Sequence, residues 1–395
     1  MPTSISDHPV ARLPEEWREH LAEHGEKAFR AQQIFRWIHA RSLFDPQGMT
    51  DLSKSLRGKL HAWGCAAPME VTRVHRASDG TRKALVTMND GTSVETVLLP
   101  RTPALQHDAD VAAQDVASEE DASEEDAGNV DAGEDDEPLV RVTQCISSQV
   151  GCAMGCVFCA SGVAGLKRHM TAAEIVAQVL LGRTLLEGGE KLSGVVFMGM
   201  GEPLHNYDAL VRAIRLMTHP DGLGLSPRRI TVSTAGLAPQ ITRLGEDFDG
   251  RVGLAFSLHN ADDAKRSALV PLNDKHPLRE VMAALKSYRL PWGRRITIEY
   301  TLVRGQNDSV DDARRVADLL RDLKVKINLI PMNPIAASQL GPPQQAQIRS
   351  FQDVLRRAGY SCFVRRRRGD DVAAACGQLA LLGGKATRSF MKRQP

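Results

Sequence analysis

The pattern of hydrophobic and polar positions changes character three times along the chain. Between residues 1 and 70, apolar side chains such as Ala28, Ala31, Ile34, Phe35 and Ile38 recur at helical spacing with basic residues between them. That spacing puts an apolar stripe on one side of a helix and predicts a small, mainly helical unit. The stretch RKALVTMNDGTSVETVLLP then alternates apolar and polar residues on both sides of Asp90-Gly91. A period of two belongs to half-buried strands, and Asp-Gly suits a tight turn, so an antiparallel hairpin is predicted at 82–89 and 92–99. From 139 onward strand-like and helix-like stretches alternate regularly. Strands are predicted at 139–146, 193–199, 228–234, 251–257, 295–303 and 325–331, with helices near 171–188, 206–218, 237–246, 277–289, 309–322 and 345–358.

A sixfold β/α alternation implies parallel strands, because each helix carries the chain back to the end where the next strand starts. The expected fold class is therefore α/β, a partial (β/α)6 barrel with a small N-terminal helical accessory domain and a β-hairpin. In such sheets ligands sit in the loops that leave the C-terminal strand ends. The candidate motifs obey that rule. A cysteine cluster follows the first strand, Gly199-Met200-Gly201-Glu202-Pro203 follows the second, Ser233 closes the third, Ser257 to His259 close the fourth, and Asn333 follows the sixth.

Charge adds a division that periodicity does not show. Residues 102–137 hold 14 Asp or Glu and no Lys or Arg, while the rest of the chain carries 50 basic against 34 acidic residues. The acidic stretch has almost no large apolar side chains to offset its chain entropy and is expected to be a disordered insertion. The basic remainder suits a polyanion, with Arg365 to Arg368 and, in the accessory helix, Lys27, Arg30, Arg36 and Trp37 as candidate contacts. The expected organisation is an accessory unit with hairpin at 1–100, suited to a polyanion such as RNA, the insertion at 101–138, the barrel with its C-terminal loop at 139–376, and a tail at 377–395. With no apolar leader and no run near the roughly 20 residues that span a bilayer, no membrane association is expected, and the protein is placed in the cytoplasm.

Seven cysteines are spread unevenly, three of them at Cys152, Cys156 and Cys159 in GCAMGCVFC. Thiolates at C-x3-C-x2-C on a Gly-containing loop can wrap one iron–sulfur cluster and leave one iron open. Zinc is the alternative, although a structural zinc site closes with four ligands and usually pairs two C-x2-C units. Cys65 and Cys362 match no motif and read as structural. Cys376, in Ala-Ala-Ala-Cys-Gly-Gln, is on pattern alone a small buried hydrophobe. Glu95 is on pattern alone a residue on the wet face of a strand.

C-x3-C-x2-C followed by a β/α repeat and a Gly-Glu-Pro turn resembles the radical S-adenosylmethionine superfamily. Within it, SSQVGCAMGCVFCASG, FMGMGEPL, STAGL, SLHN, IPMNP and RGDDVAAACGQL resemble the RNA adenine carbon-2 methyltransferases of the RlmN type. The acidic insertion is the main departure. The resemblance implies a 4Fe-4S cluster on Cys152, Cys156 and Cys159 and two S-adenosylmethionine molecules per turnover. It implies cofactor contacts at Gly201, Glu202, Ser233, Ser257, Leu258, His259 and Asn333. Cys376 would carry a methyl group, Cys145 would be its thiol partner, and Glu95 would accept a proton. The implied partners are 23S rRNA, tRNA and an electron donor such as flavodoxin or ferredoxin, and the implied state is a monomer. Carbon-2 of adenine is electron-poor, so an ordinary polar methyl transfer to it fails, which is why a methyl stored on sulfur and a radical step are needed. Two further readings stay open here: the related adenine carbon-8 methyltransferase, and a non-enzymatic RNA-binding or iron-sensing module.

Overall fold

The computed structural model describes residues 8–101, 140–335, 338–365, 368–372, 374–375 and 377–379. Three short helices, α1 (Pro14–Glu23), α2 (Arg30–Phe35) and α3 (Lys54–Ala62), build the N-terminal unit. The α3 start is capped by Ser53, whose hydroxyl accepts from the Leu56 N–H at 3.2 Å. Ala31, Ile34, Phe35 and Ile38 are buried as their spacing predicts, whereas Ala28 precedes the helix and is exposed. Arg36 and Gln32 both reach Asp221 on the barrel, at 2.6 and 2.8 Å, and hold the two parts together. Arg36 thus has a carboxylate partner within the protein.

The main sheet opens with three antiparallel strands, β1 (Met69–Arg76), β2 (Arg82–Met88) and β3 (Ser93–Pro100). β4 (Val140–Cys145) pairs antiparallel with β3, and a small ribbon, β5 (Gln149–Val150) with β6 (Arg168–His169), flanks the short helix α4 (Ala160–Ala164). The regular repeat follows: α5 (Ala172–Arg183), β7 (Glu190–Phe197), α6 (Tyr207–Thr218), β8 (Ile230–Thr234), α7 (Ala238–Asp247) and β9 (Gly253–Ser257). It continues through α8 (Asp263–Leu269), α9 (Leu278–Ser287), β10 (Ile296–Leu302), α10 (Val310–Leu319), β11 (Val325–Pro331), α11 (Gln345–Arg357) and β12 (Cys362–Val364).

These strands form a ten-stranded sheet in the order β1-β2-β3-β4-β7-β8-β9-β10-β11-β12, parallel from β4 onward. The expected α/β repeat is present, and β1, β12 and α8 are additions that periodicity did not mark. The hairpin pairs Leu85 with Glu95 and is continuous with the barrel, because Val97 of β3 pairs with Cys145 of β4. β1 and β12 are the two edges of the sheet. The chain after β12 reaches across to the β1–β2 turn and the end of β3: Arg368 donates to the Pro100 carbonyl at 2.7 Å, and the Gly369 N–H donates to Asp79 at 3.1 Å. Among the described residues, no helix is long and apolar enough to cross a membrane.

Candidate active site

The cysteine loop leaves the C-terminal end of β4, on the same rim as the loops after β7, β8, β9 and β11. Gly151 turns the chain into it with φ of +79°, and a Cβ there would lie 1.9 Å from the Gly165 carbonyl oxygen, so only glycine fits. Cys152 is buried, and Cys156 and Cys159 are half-buried. Burial pushes the Cys152 thiol up to about 12 and Cys156 well above the ordinary thiol value, and each of these two thiols is raised further by Cys159. Three crowded thiols of this kind become thiolates when a cation draws them. Three thiols at this spacing on one loop suit a multi-iron cluster held at three corners, with one iron left open.

Next to this loop, the turn after β7 presents Glu202, only 4 % exposed. Gly201, at φ of +105°, lets the turn press against Gln149, where a Cβ would sit 2.6 Å from the Gln149 Cβ. Gln149 in turn accepts from the Glu202 N–H at 2.8 Å. Burial raises the Glu202 carboxyl to about 7, against the opposing pull of the Ala235 N–H, which donates to it at 2.8 Å. A buried carboxylate with its charge only partly compensated is a receptor for an ammonium group, which is the chemistry of the methionine end of S-adenosylmethionine.

Ser233 donates to the Phe197 carbonyl at 2.7 Å and so ties β8 to β7. Ser257 and Leu258 close β9, and His259 follows in left-handed backbone at φ of +58°. His259 Nδ1 accepts from the Thr301 N–H at 2.9 Å, which leaves the proton on Nε2. Burial lowers this imidazole to about 3, so it is a neutral donor. Asn333 is buried after β11. Sequence reasoning missed Arg266 on α8, which is fully buried and ties this arc together. Its guanidinium donates to the carbonyls of Ala235 at 2.6 Å, Ser257 at 3.0 Å and Leu258 at 2.9 Å, and to Asn273 at 2.7 Å. A lone arginine in ADDAKRSALV has no motif to announce it.

Glu95 is not on the wet face of a strand. It is 5 % exposed, and its Oε1 lies 3.0 Å from Lys83 Nζ, in a buried ion pair that the sequence reading also missed. The Glu95 carbonyl accepts from Ser147 Oγ at 2.8 Å, and that hydroxyl accepts from the Met200 N–H at 2.9 Å, which links the hairpin to the Glu202 turn. Gln178 clamps both the N–H and the carbonyl of Ser147, at 2.9 and 2.8 Å. Cys145 is buried, and its carbonyl accepts from Thr96 Oγ1 at 2.8 Å.

Cys376 lies outside the described residues. Its neighbour Gly377 accepts through its carbonyl from the Ala160 N–H at 2.9 Å, directly after Cys159, and the Leu379 carbonyl accepts from Ser161. In the arginine run, Arg365 faces Glu299 at 3.3 Å and Arg368 lies 3.5 Å from Asp79, so these two have carboxylate partners within the protein; Arg366 and Arg367 lie outside the described residues.

A parallel barrel with a three-cysteine loop and a buried carboxylate on its C-terminal rim defines a radical S-adenosylmethionine enzyme. Residues 146–320 match the Radical SAM superfamily, and residues 14–65 match the Ribosomal RNA large subunit methyltransferase N-terminal domain. The chain is 64 % identical over 380 residues, 96 % of each chain, to the dual-specificity RNA methyltransferase RlmN of Sorangium cellulosum. It is 41 % identical to the probable RlmN of Moorella thermoacetica, covering 93 % of this chain and 95 % of that one. A crystal structure of a radical SAM methyltransferase from Sphaerobacter thermophilus superposes with a TM-score of 0.81 at 40 % identity, covering 94 % of this chain and 98 % of that one. The chain belongs to the RlmN family of radical SAM RNA methyltransferases, whose cofactors are a 4Fe-4S cluster and S-adenosylmethionine.

Proposed function

We propose that this enzyme methylates carbon-2 of an adenine in 23S rRNA and in tRNA, using Cys376 to carry the methyl group and Cys145 to release the product. Two observations support the reading: β3, which carries Glu95, pairs with β4, which carries Cys145, and Gly377, next in sequence to Cys376, bonds to the residue after Cys159 on the cysteine loop. The family match, the dual-specificity name of its relatives and the N-terminal domain match support an RNA substrate of two kinds.

Cys152, Cys156 and Cys159 would hold the cluster, and Glu202 the ammonium of S-adenosylmethionine, with Ser233, Ser257, Leu258, His259 and Asn333 around the remainder. When bound, the cluster supplies the electron that splits S-adenosylmethionine and begins radical chemistry on the stored methyl. The chain's own residues do the rest. Cys376 as thiolate takes a methyl by displacement and keeps it as a thioether. Once carbon-2 is joined to that carbon, the Glu95 carboxylate takes the carbon-2 proton. After the adduct has given up its unpaired electron, the Cys145 thiolate attacks the Cys376 sulfur, so that an S–S bond forms as the C–S bond breaks, the released carbon takes up a proton to become the methyl group, and an external thiol reopens the disulfide.

The test is anaerobic incubation of the reconstituted protein with S-adenosylmethionine, reductant and unmodified ribosomal and transfer RNA, followed by nucleoside mass spectrometry. The expected product is 2-methyladenosine in both RNAs. Formation of 8-methyladenosine would move the enzyme to the carbon-8 reaction, and 5′-deoxyadenosine without methylated base would refute the RNA assignment.

A further inference from the structure

Lys83 on β2 is 8 % exposed, and its ammonium meets Glu95 at 3.0 Å. Taking an ammonium out of water costs several kcal/mol, and an apolar side chain of the same length would stabilise a barrel wall as well or better. Packing alone therefore gives no reason for a lysine here. The sheet register supplies one. Lys83 pairs with Val97, and Val97 pairs with Cys145, so Lys83 and Cys145 lie in one row across three strands. Glu95, two positions from Val97 on the same strand, projects from that same face. Its main chain is fixed through Ser147 to the Met200 N–H, which limits how far its carboxylate can move from the ammonium.

We propose that Lys83 is a positioning residue for the proton-accepting step: its ammonium keeps Glu95 ionised and aimed into the Cys145 side of the barrel. This rests on the assignment of Glu95 made above. A carboxyl in a site without water tends to hold its proton, and a protonated Glu95 accepts nothing. With Lys83 beside it, Glu95 enters the step as a carboxylate and leaves as a neutral acid. The carbon-2 proton moves to the Glu95 oxygen, the C–H electron pair stays with the ring, and Lys83 keeps its charge throughout. The charged and titratable groups on this face of the strands around Glu95 are Lys83 on β2, Cys145 on β4 and, on the edge strand β1, His75 opposite Lys83 and Arg73 opposite Leu85, which itself faces Glu95. The same reasoning separates Lys83 from Arg82, which points to the other face and binds Glu190 at 2.7 Å.

The experiment compares native protein, K83M, K83R and E95Q as reconstituted full chains, measuring methylated adenosine and 5′-deoxyadenosine across pH. In K83M the acidic limb of methylated-product formation is expected to move up by about one pH unit or more, as loss of an adjacent opposite charge requires. Iron content and 5′-deoxyadenosine formation are expected to stay native, and K83R restores the limb. An unmoved limb in K83M overturns the proposal. A native rate in E95Q would instead remove the Glu95 assignment beneath it. The double variant K83M with E95Q covers the case of a damaged fold: its loss should equal that of E95Q alone, since a carboxamide needs no counter-charge, and losses that add would make Lys83 merely structural.

Discussion

The two sides of the barrel mouth hold their functional groups by different means. On the side of β7 to β11, they stand at the C-terminal ends of strands and on the loops after them and are fixed through backbone: glycines allow close approach, and Arg266 gathers three carbonyls from the ends of β8 and β9 and the loops that follow. On the side of β2 to β4, Glu95 and Cys145 stand within strands. There Gln144, Ser147, Gln178 and Thr96 fix them through a buried side-chain network, with Lys83 as the counter-charge. Apart from the Glu202 carboxylate, the first construction depends on shape and fails when a close approach or a donor fork is lost. The second depends on charge state and fails when one polar partner is removed.

The largest expected effect lies where both sides converge. Replacing Cys152, Cys156 or Cys159 by Ala should abolish iron–sulfur absorbance and all product, whereas Cys145→Ala or Cys376→Ala should abolish released product and leave iron content native. If Cys145→Ala also lost its iron, the division of roles between the thiols would be wrong. Arg266→Met should come next. It orphans three carbonyls and the Asn273 side chain, and at about 1 kcal/mol or more for each it should lower unfolding free energy by about 4 kcal/mol in denaturant titration. Arg266→Lys should recover only part, because an ammonium lacks the planar fork.

On the other side, Gln178→Leu leaves the Ser147 N–H and carbonyl unpaired and should cost about 2 to 3 kcal/mol, measured the same way. Its loss should be felt at both Glu95 and Glu202, since Ser147 bridges them. The smallest effect at neutral pH belongs to His259. Its imidazole sits at about 3 in the folded chain against 6.5 in the unfolded one, so the unfolded chain binds the extra proton. Stability from this group is therefore present above pH 6.5 and lost as pH falls towards 3, by up to about 4 kcal/mol. His259→Asn should flatten that acidic slope in the cluster-free protein and change little at pH 8, and a slope as steep as the native one would remove His259 as its source.

The same contrast explains what could be read from the chain alone. The rim motifs were legible because each is a short contiguous stretch following a periodic strand, and a β/α alternation fixes which end of the sheet it reaches. The hairpin was also legible, from Asp90-Gly91 and its alternating flanks. Its continuity with the barrel was not, because the pairing of Val97 with Cys145 joins residues separated by the acidic segment. Lys83, Gln178 and Arg266 were invisible for the same reason: nothing local distinguishes a buried charge or amide from a solvated one until its partner is brought in from elsewhere. β12 has only three residues, and α8 only seven, which is too little for a period to show.

The central claim is that a methyl group waits on Cys376 before it reaches RNA. The most direct measurement is peptide mass spectrometry of the protein after incubation with S-adenosylmethionine and reductant in the absence of RNA. The account expects one added methyl on the Cys376 peptide, present also in Cys145→Ala and absent in Cys376→Ala. A methyl found on Cys145, or none on either thiol in a protein that still methylates RNA, would contradict it.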